Sequence, residues 1–310
     1  MKNLYKSCRL CPRNCGADRL GGNVGYCKET SALRVAAAVI HRGEEPPLVG
    51  KGGSGAIFVS GCNLGCSFCQ NYQISQSGND KPGIGKTISS EEFADICVEL
   101  RDKGAENINI VTGSHAIPAL IDGFTAARKS GVHIPILWNC SAYENTQALE
   151  LLGDYISIFL PDLKTLDSKI AGIFFNAPDY PDIATAAIQK MIDITQGIKS
   201  RIIIRHLVLP GYLDSTRSVL HWFADNTKSA AMLSLMTQYT PIPGRIDNSG
   251  EKPMPQRYLS REEHETVLYW LREFDIEDGF CQELVTGSDW LPDFRRSNPF
   301  SSELSVPIWP

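Results

Sequence analysis

The sequence predicts an α/β fold, a partial (β/α)6 barrel of the TIM type with a cysteine-rich module in front of it. Its 310 residues are 43% hydrophobic, which is enough to build one large core. From Gly52 onward, short apolar runs alternate with amphipathic stretches, a pattern typical of parallel strands joined by helices. Seven of the ten cysteines lie in two tight groups, one before this alternation and one inside it.

The barrel prediction rests on six strand-like runs and the helices between them. Ser89 and Glu92 form a capping-box signal at the start of the first helix, and Gly104 marks its end. Residues 241–255 are polar and proline-rich with only one more helix, 260–274, after them, so an open barrel fits better than a closed eight-stranded one. The predicted strands are 56–61, 107–113, 134–139, 156–161, 201–209 and 231–238. The predicted crossover helices are 89–104, 116–130, 144–153, 181–196 and 215–227.

The same pattern predicts three segments. A cysteine-rich N-terminal module occupies 1–51, the barrel with its last helix occupies 52–286, and a tail occupies 287–310. The tail contains prolines and aromatic residues without a clear period, and we expect it to pack on the barrel. Its large aromatic residues are Trp290, Phe294, Phe300 and Trp309.

Charge and hydropathy argue against two kinds of partner. The net charge of -5 and the pI near 5.7 provide no positive field for phosphate backbones, so no nucleic acid is expected. The longest apolar runs, near 35–40 and 201–209, are too short to span a membrane, and the N-terminus lacks an apolar signal region. We therefore expect a cytoplasmic protein without a membrane partner. Grouped cysteines in that compartment indicate metal ligation rather than disulfides.

The second cysteine group carries the most specific signal in the chain. It reads Cys62-x3-Cys66-x2-Cys69 and directly follows the first predicted barrel strand. Three thiolates at this spacing wrap one cubane 4Fe-4S cluster and leave its fourth iron open to another molecule. A structural zinc would need a fourth ligand, and no cysteine or histidine follows closely to supply it.

With an aromatic residue, Phe68, just before its last cysteine, this motif resembles the radical S-adenosylmethionine (SAM) superfamily. In that family the amino and carboxylate groups of SAM chelate the open iron. An electron from the reduced cluster then cleaves SAM to methionine and a 5'-deoxyadenosyl radical, which takes a hydrogen atom from the substrate. The resemblance implies that Phe68 lines the adenine pocket; ordinary core packing is the alternative.

Further segments look like the PflX-type group, relatives of pyruvate formate-lyase activating enzymes, over about residues 8–285. Such relatives imply activation of a glycyl radical protein, with a protein or peptide as substrate and flavodoxin or ferredoxin as electron donor. The segments that carry this resemblance are 43–46 (GEEP), 53–55 (GSG), 69–72 (CQNY), 160–164 (LPDLK) and 205–211 (RHLVLPG).

Polar residues follow the second predicted strand, at the end where barrel enzymes place their active sites. Activating enzymes carry a Gly-Gly-Glu-type segment there for the methionine amino group, and the sequence of this chain, 112–115 (TGSH), departs from it. The resemblance still leaves Gly113 and Ser114 as cofactor-binding candidates. His115 is either a cofactor contact or a cap of the next helix.

The third and fourth strands end in further cofactor-binding candidates, Asn139 with Ser141 and Asp162 with Lys164. The second pair is similar to the Asp-x-Lys of activating enzymes, in which the lysine reaches the SAM carboxylate. A surface ion pair of little consequence is the alternative.

Two more positions offer chemistry without a motif of their own. Arg205 and His206 point to opposite faces of a regular fifth strand, so at most one faces the lumen, and His206 is the cofactor-binding candidate. A core histidine is the alternative. Cys140 fits a radical relay or a nucleophile, or the small buried hydrophobe that a free cysteine usually is.

The N-terminal group forms a complete set of four thiolates, Cys8-x2-Cys11-x3-Cys15-x11-Cys27. Tetrahedral zinc would hold together a short module that has little core of its own. A closed 4Fe-4S cluster would relay electrons or, if one ligand yields, bind substrate. Both interpretations stay open on spacing alone, beside reduced thiols without metal.

The leading functional hypothesis is a radical SAM enzyme that abstracts a hydrogen atom, with activation of a glycyl radical protein as one form of it. No catalytic side chain is assigned beyond the cluster. The alternatives are an iron-sulfur electron-transfer protein and a zinc-binding interaction module. The open iron favours the enzyme, because electron carriers usually close every iron with cysteine.

Overall fold

A computed structural model describes residues 1–75, 84–242, 254–285, 287 and 291–309. It contains an arc of parallel strands with helices outside it, and the expected open barrel is confirmed. The strands are β1 (Leu33–His41), β2 (Ser54–Val59), β3 (Lys86–Ile88), β4 (Ile108–Val111), β5 (Ile136–Cys140), β6 (Ile158–Pro161), β7 (Ile203–Leu207), β8 (Met232–Met236), β9 (Gly279–Cys281) and β10 (Ser305–Trp309).

The helices between these strands match most of the predicted crossovers. None of those in the described ranges is both long and apolar enough to cross a membrane. The α-helices are α1 (Pro46–Val49), α2 (Tyr72–Ser75), α3 (Ser90–Asp102), α4 (Ile117–Lys129), α5 (Thr146–Glu150), α6 (Ser168–Phe175), α7 (Tyr180–Ile194), α8 (Leu213–Asn226) and α9 (Arg261–Glu273). Short 3-10 turns occupy Lys2–Tyr5, Ser114–Ala116 and Lys199–Arg201.

The six predicted strands form the parallel arc β2-β4-β5-β6-β7-β8. Strands β6 and β7 are joined by two isolated parallel bridges, Phe159 with Ile202 and Asp162 with Arg205. The structure adds β9 beside β8, so the arc has one more strand than the sequence predicted. This strand has three residues, too few to show a period, and Gly279 lies directly against the Leu233 backbone.

Strand β1 extends the other edge of the arc, antiparallel to β2, and carries β3 and β10 on its far side. Every residue from Leu33 to Ile40 is buried. A strand buried on both faces shows no polar alternation, which is why the sequence analysis read this segment only as an apolar run. Strand β10 lies in the tail and places Trp309 opposite Ala38.

Helix caps explain where several helices begin. The predicted capping box of α3 is confirmed: Ser89 Oγ accepts from Glu92 N at 3.1 Å, and Glu92 Oε2 accepts from Ser89 N at 2.7 Å. Helix α6 was not predicted. Its start is fixed by Asp167, whose Oδ1 accepts from the backbone N–H groups of Lys169 and Ile170 at 2.7 and 3.1 Å.

Helix α1 closes one end of the arc. Leu48 packs there with Leu137, Leu160 and Ile203 in a small apolar cluster. Because this end is filled with apolar side chains, polar groups can gather at the other end, where the parallel strands terminate.

Candidate active site

The loop after β2 brings three cysteines to one cavity. Gly61 begins the loop with a φ of 85°, and a Cβ there would lie 2.7 Å from the Cys27 carbonyl oxygen, so only glycine fits. Cys62, Cys66 and Cys69 all line a cavity of about 310 Å³. Cys66 is buried and the other two are half-buried.

Two thiols of this loop, those of Cys66 and Cys69, are poor acids without a metal. Burial raises the pKa of Cys66 well above its usual range, with Lys164 opposing the effect, and burial also raises the pKa of Cys69. A bound cation must therefore displace their protons. In the described ranges no three such donors converge as they would around one ion. Cubane thiolates ligate separate irons and need no common point, so this donor set fits a 4Fe-4S cluster.

A compact charged group lines the same cavity. Asp162 Oδ1 accepts from Arg205 Nε at 2.8 Å, and Asp162 Oδ2 accepts from Lys164 Nζ at 2.7 Å. Arg205 Nη2 donates to Asn139 Oδ1 at 2.5 Å. Burial would raise the pKa of Asp162, but Arg205 and Lys164 outweigh it and hold that pKa below its usual range.

This group is not an ordinary surface ion pair. The side chains of Asp162, Lys164 and Arg205 are only 17%, 18% and 13% exposed. Asp162 and the nearby Glu44 balance the two cations, while the ammonium of Lys164 retains hydrogens that an anionic group of a bound molecule can accept.

Comparison with known proteins decides the family. The sequence profile of the radical SAM superfamily matches residues 56–223, which is more than half of the chain. This chain belongs to the radical SAM superfamily. Membership implies a 4Fe-4S cluster and SAM, the two groups for which the thiols and the charged group are suited.

One relative is known by sequence and another by its solved structure. An uncharacterized protein of Methanocaldococcus jannaschii is 29% identical over 278 residues, covering 89% of this chain and 77% of the relative. A radical SAM methyltransferase from Sphaerobacter thermophilus has a TM-score of 0.53 and 15% identity, over 73% of this chain and 66% of its own. At this identity the likeness concerns the fold alone.

Two further solved structures are more distant. Methylornithine synthase has a TM-score of 0.49 and 12% identity, over 79% of this chain and 78% of its own. A domain of a pyruvate-formate lyase-activating enzyme from Bacteroides vulgatus has a TM-score of 0.39 and 13% identity, over 54% of this chain and 91% of its own. Scores this low give no support to a closer relationship.

Phe68 of the radical SAM loop lies both in the cavity wall and in the hydrophobic core. It lies in the cavity wall and is only 7% exposed. Its ring also makes edge contacts with Phe174 and Phe175, each at 5.8 Å between centroids, and with Tyr239 at 6.3 Å. An aromatic wall of this kind suits a planar ring such as adenine.

The segment after β4 is placed differently from the prediction. Gly113 packs against Trp138, where a Cβ would approach the indole to 2.6 Å, and Ser114 donates its hydroxyl to the buried Glu144 carboxylate. Neither lines the radical SAM cavity, whereas Thr112, with a φ of 63°, does. Burial raises the pKa of Glu144 to about 7. The residue of this segment that lines the cavity is therefore Thr112, one position before Gly113.

His115 does not cap the following helix. Its ring Nε2 lies 2.8 Å from the Ser60 carbonyl oxygen, at the start of the cysteine loop. Burial lowers the pKa of His115 to about 3, so the ring is neutral and donates from Nε2. This histidine supports the loop from behind rather than facing the cavity.

Strand β7 decides between Arg205 and His206. Arg205 lines the cavity, whereas His206 lies on the outer face, with Nδ1 2.7 Å from Leu163 O and Nε2 3.0 Å from Thr216 Oγ1. Burial lowers the pKa of His206 to about 4. This placement agrees with the prediction that at most one of the two residues faces the lumen. The residue that lines the cavity is Arg205, whereas the sequence analysis chose His206 as the candidate.

Two residues at the end of β5 also line the cavity, Cys140 and Ser141. Ser141 Oγ is buried and has no hydrogen-bond partner within the described ranges. Cys140 is 2% exposed, and burial raises its pKa far above its usual range. Cys140 is therefore a neutral thiol, whereas Ser141 has a hydroxyl available for a ligand.

Sequence reasoning missed an acidic contribution to the cavity. Glu44 lines it, with Oε2 3.9 Å from Arg205 Nη1. The neighbouring Glu45 is 8% exposed, and burial raises its pKa to about 7. The sequence does contain a signal for this acid. Two glutamates stand directly before Pro46, shortly after the apolar run that ends at Ile40, but above they served only as part of a family resemblance.

The C-terminal tail forms part of the cavity wall, through Pro292 and Phe300. Gln73, four residues after Cys69, fastens it: its Nε2 donates to Asp293 Oδ1 at 3.0 Å, and its Oε1 accepts from Phe294 N at 2.7 Å. The tail aromatics Phe294 and Phe300 contact Phe58 of β2 at 5.3 and 5.5 Å. Trp290 lies outside the described residues.

Replacing Gln73 by alanine is expected to loosen the tail. The change removes two hydrogen bonds, worth about 1 kcal/mol each, so amide hydrogen exchange in residues 291–300 should accelerate roughly 30-fold. Mass spectrometry of peptic fragments measures this. Gln189→Ala, on the exposed side of α7, is the matched control. Equal exchange in the two variants would show that Gln73 does not hold the tail.

A second, larger cavity of about 850 Å³ lies between the start of α8 and the segment 254–257. Its lining includes Asp167, Tyr212 and Arg257 but no cysteine. Volume alone does not make a site, and the smaller cavity contains the groups that the radical SAM chemistry needs.

Proposed function

We propose that this protein binds a 4Fe-4S cluster through Cys62, Cys66 and Cys69 and uses it with SAM to abstract a hydrogen atom from a substrate. The observation that carries the proposal is the convergence of these three thiols and the Asp162–Lys164–Arg205 group on one cavity. When bound, the reduced cluster supplies one electron that breaks the S–C5' bond of SAM, giving methionine and a radical that takes the hydrogen atom.

The charged group is assigned to the carboxylate of SAM. Arg205 is held by Asp162 and Glu44, whereas Lys164 Nζ donates only one of its three hydrogens to Asp162 and can donate another to a second carboxylate. Asn139 and the unpartnered hydroxyl of Ser141 are suited to hydrogen bonds with polar groups of the cofactor. Arg205 takes the place in this set that the sequence analysis gave to His206.

Phe68 and the segment after β4 are assigned to the exclusion of water from the site. Phe68 presents an aromatic face to the adenine, and the packing of Gly113 against Trp138 with the bond from Ser114 to Glu144 fixes the neighbouring backbone. Exclusion of water protects a carbon radical from side reactions. Gly113 and Ser114 therefore act on the cofactor site by supporting Thr112.

The partners follow from the chemistry. A one-electron reductant is required, and flavodoxin or ferredoxin in the cytoplasm is the expected donor. The PflX-type resemblance gives a glycyl radical protein as one substrate. A small molecule is the second candidate, since a cavity of about 310 Å³ lies within the size range of small-molecule sites. The N-terminal cysteines are retained as a second metal site, either zinc or iron-sulfur.

The test is SAM cleavage by protein reconstituted anaerobically with iron and sulfide. With dithionite and SAM, chromatography should show 5'-deoxyadenosine and methionine in equal amounts. An electron carrier, the alternative function, would give neither product. Loaded cluster without 5'-deoxyadenosine would therefore refute the enzyme assignment and leave electron transfer.

A further inference from the structure

The N-terminal cysteines come together although they are spread over twenty residues of chain. Cys8, Cys11 and Cys27 are buried, and Cys15 is exposed. A Cβ on Gly25 would lie 3.3 Å from Cys15 Sγ and 3.4 Å from Cys27 Sγ, so both sulfurs face the same glycine. The chain turns back at Gly16, with a φ of 65°, where its N–H donates to Cys8 O at 3.0 Å. Two of the four sulfurs are therefore placed side by side, and Cys11 interacts electrostatically with Cys8 and Cys27.

Apolar burial contributes little to this region. Between the 3-10 turn at Lys2–Tyr5 and β1 the structure has no helix or strand, and all these residues are described. Its own apolar cluster consists of Tyr5, Cys8 and Leu10. A segment with so small a core needs another source of stability, and a metal bound by four thiolates supplies it.

A buried arginine faces the thiols. Arg19 is 1% exposed, and its Nη1 lies 3.6 Å from Cys8 Sγ. Its other hydrogen bonds go to neutral backbone carbonyls, those of Glu29, Thr30 and His115, at 2.9, 2.6 and 2.7 Å. Within the described ranges it makes no ion pair with a carboxylate. A buried guanidinium requires a counter-charge, and a tetrathiolate metal centre carries net negative charge.

Arg13, between Cys11 and Cys15, ties this group to the catalytic loop. Its Nε donates to Asn63 O at 2.8 Å and its Nη2 to Leu64 O at 2.9 Å, between the first two catalytic cysteines. The same guanidinium donates to Phe175 O at 2.9 Å and to Asn176 O at 2.5 Å, at the end of α6. It also lies over the rings of Tyr26 and Tyr143, at 4.0 and 5.1 Å.

Arg19 provides a second connection. It donates to His115 O, and the His115 ring donates to Ser60 O, two residues before Cys62. Gly61 follows and is packed against the Cys27 carbonyl. Both arginines thus connect the backbone around the four N-terminal cysteines to the backbone that carries the catalytic ones.

We propose that Cys8, Cys11, Cys15 and Cys27 bind a second, thiolate-ligated metal centre that positions the catalytic cysteine loop through Arg13 and Arg19. The centre is an iron-sulfur cube: in the described ranges no three such donors converge on one point as a single zinc requires, whereas cubane thiolates ligate separate irons. It acts on the loop by fixing the two guanidinium groups. The existence of the centre is independent of the SAM chemistry proposed above.

Metal analysis of a variant without the catalytic cysteines tests the centre. In Cys62→Ala/Cys66→Ala/Cys69→Ala we expect about four irons per chain after anaerobic purification and reconstitution. Adding Cys15→Ala and Cys27→Ala should remove that metal. A triple variant that retains no iron, or that contains zinc in its place, would overturn the proposal, whatever the activity of the wild type.

The coupling is tested with Arg13→Ala against Arg9→Ala, an exposed arginine of the same segment. The readout is the fraction of the reduced-cluster paramagnetic resonance signal that changes on adding SAM, before and after exposure to an iron chelator. This signal reports only a cluster with an open iron. During exposure to the chelator, Arg13→Ala should lose the SAM-responsive signal roughly 10- to 100-fold faster than Arg9→Ala.

A second variant distinguishes the loss of the guanidinium contacts from misfolding of the protein. Arg13→Lys retains the charge but lacks the planar fork that reaches four carbonyls, so its loss rate should also exceed that of Arg9→Ala. The N-terminal metal content should remain in both Arg13 variants. Loss rates equal to that of Arg9→Ala in both would overturn the positioning role.

Discussion

Replacing Cys66 by alanine is expected to reduce 5'-deoxyadenosine formation to background. Cys66 is the most buried of the three catalytic thiols and is one of only three protein ligands for the cluster. Its loss leaves two ligands for four irons, so the cluster is not retained and no electron reaches SAM. Chromatography of the reaction and the iron content of the reconstituted protein measure the two effects together.

Cys97→Ala is the control for this substitution. Cys97 is equally buried, within α3, but does not line the radical SAM cavity. It should retain cluster and activity, since it loses only a small apolar group. Activity of Cys66→Ala at the level of Cys97→Ala would mean that the catalytic cluster has been assigned to the wrong cysteines.

The second large effect is expected at Asp162. Its replacement by alanine leaves Lys164 and Arg205 without their shared counter-charge in a cavity where each is less than one-fifth exposed. Removing one partner from such a buried pair costs about 3 kcal/mol of unfolding free energy. Urea denaturation of the apoprotein measures it. The same substitution in an exposed pair, Glu99→Ala beside Lys103, should cost less than about 1 kcal/mol.

The contribution of Asp162 should depend on pH in a defined direction. Because its pKa is lowered in the folded state, its stabilising effect is full above the unfolded value of about 3.9 and is lost as pH falls through the lower folded value. The stability difference between wild type and Asp162→Asn should therefore be constant near neutrality and shrink below about pH 4. A difference that grows on acidification would contradict the assigned charge state.

Sequence patterns determined the parts of the molecule that depend on local order. The spacing of Cys62, Cys66 and Cys69 predicted the cluster loop because three thiolates so close in the chain can reach one cube without help from the rest of the fold. The parallel arc was predicted for a similar reason. Strands and amphipathic helices each have a characteristic spacing of apolar residues that is visible in one sequence. Strands β1 and β9 were not predicted. Strand β1 is buried on both faces and shows no alternation, and β9 is only three residues long.

Tertiary structure alone decided which side chains meet. Arg205 rather than His206 faces the cavity because the position of β7 in the arc turns one face of that strand inward. Glu44 and Phe300 reach the same cavity from segments more than two hundred residues apart, a proximity that no local period encodes. Arg13 finds its four carbonyl partners in the same way. The sequence by itself therefore determined the cysteine motif and the barrel. Long-range packing determined which residues surround the cavity, because contacts between distant segments form only when the sheet and its helices assemble.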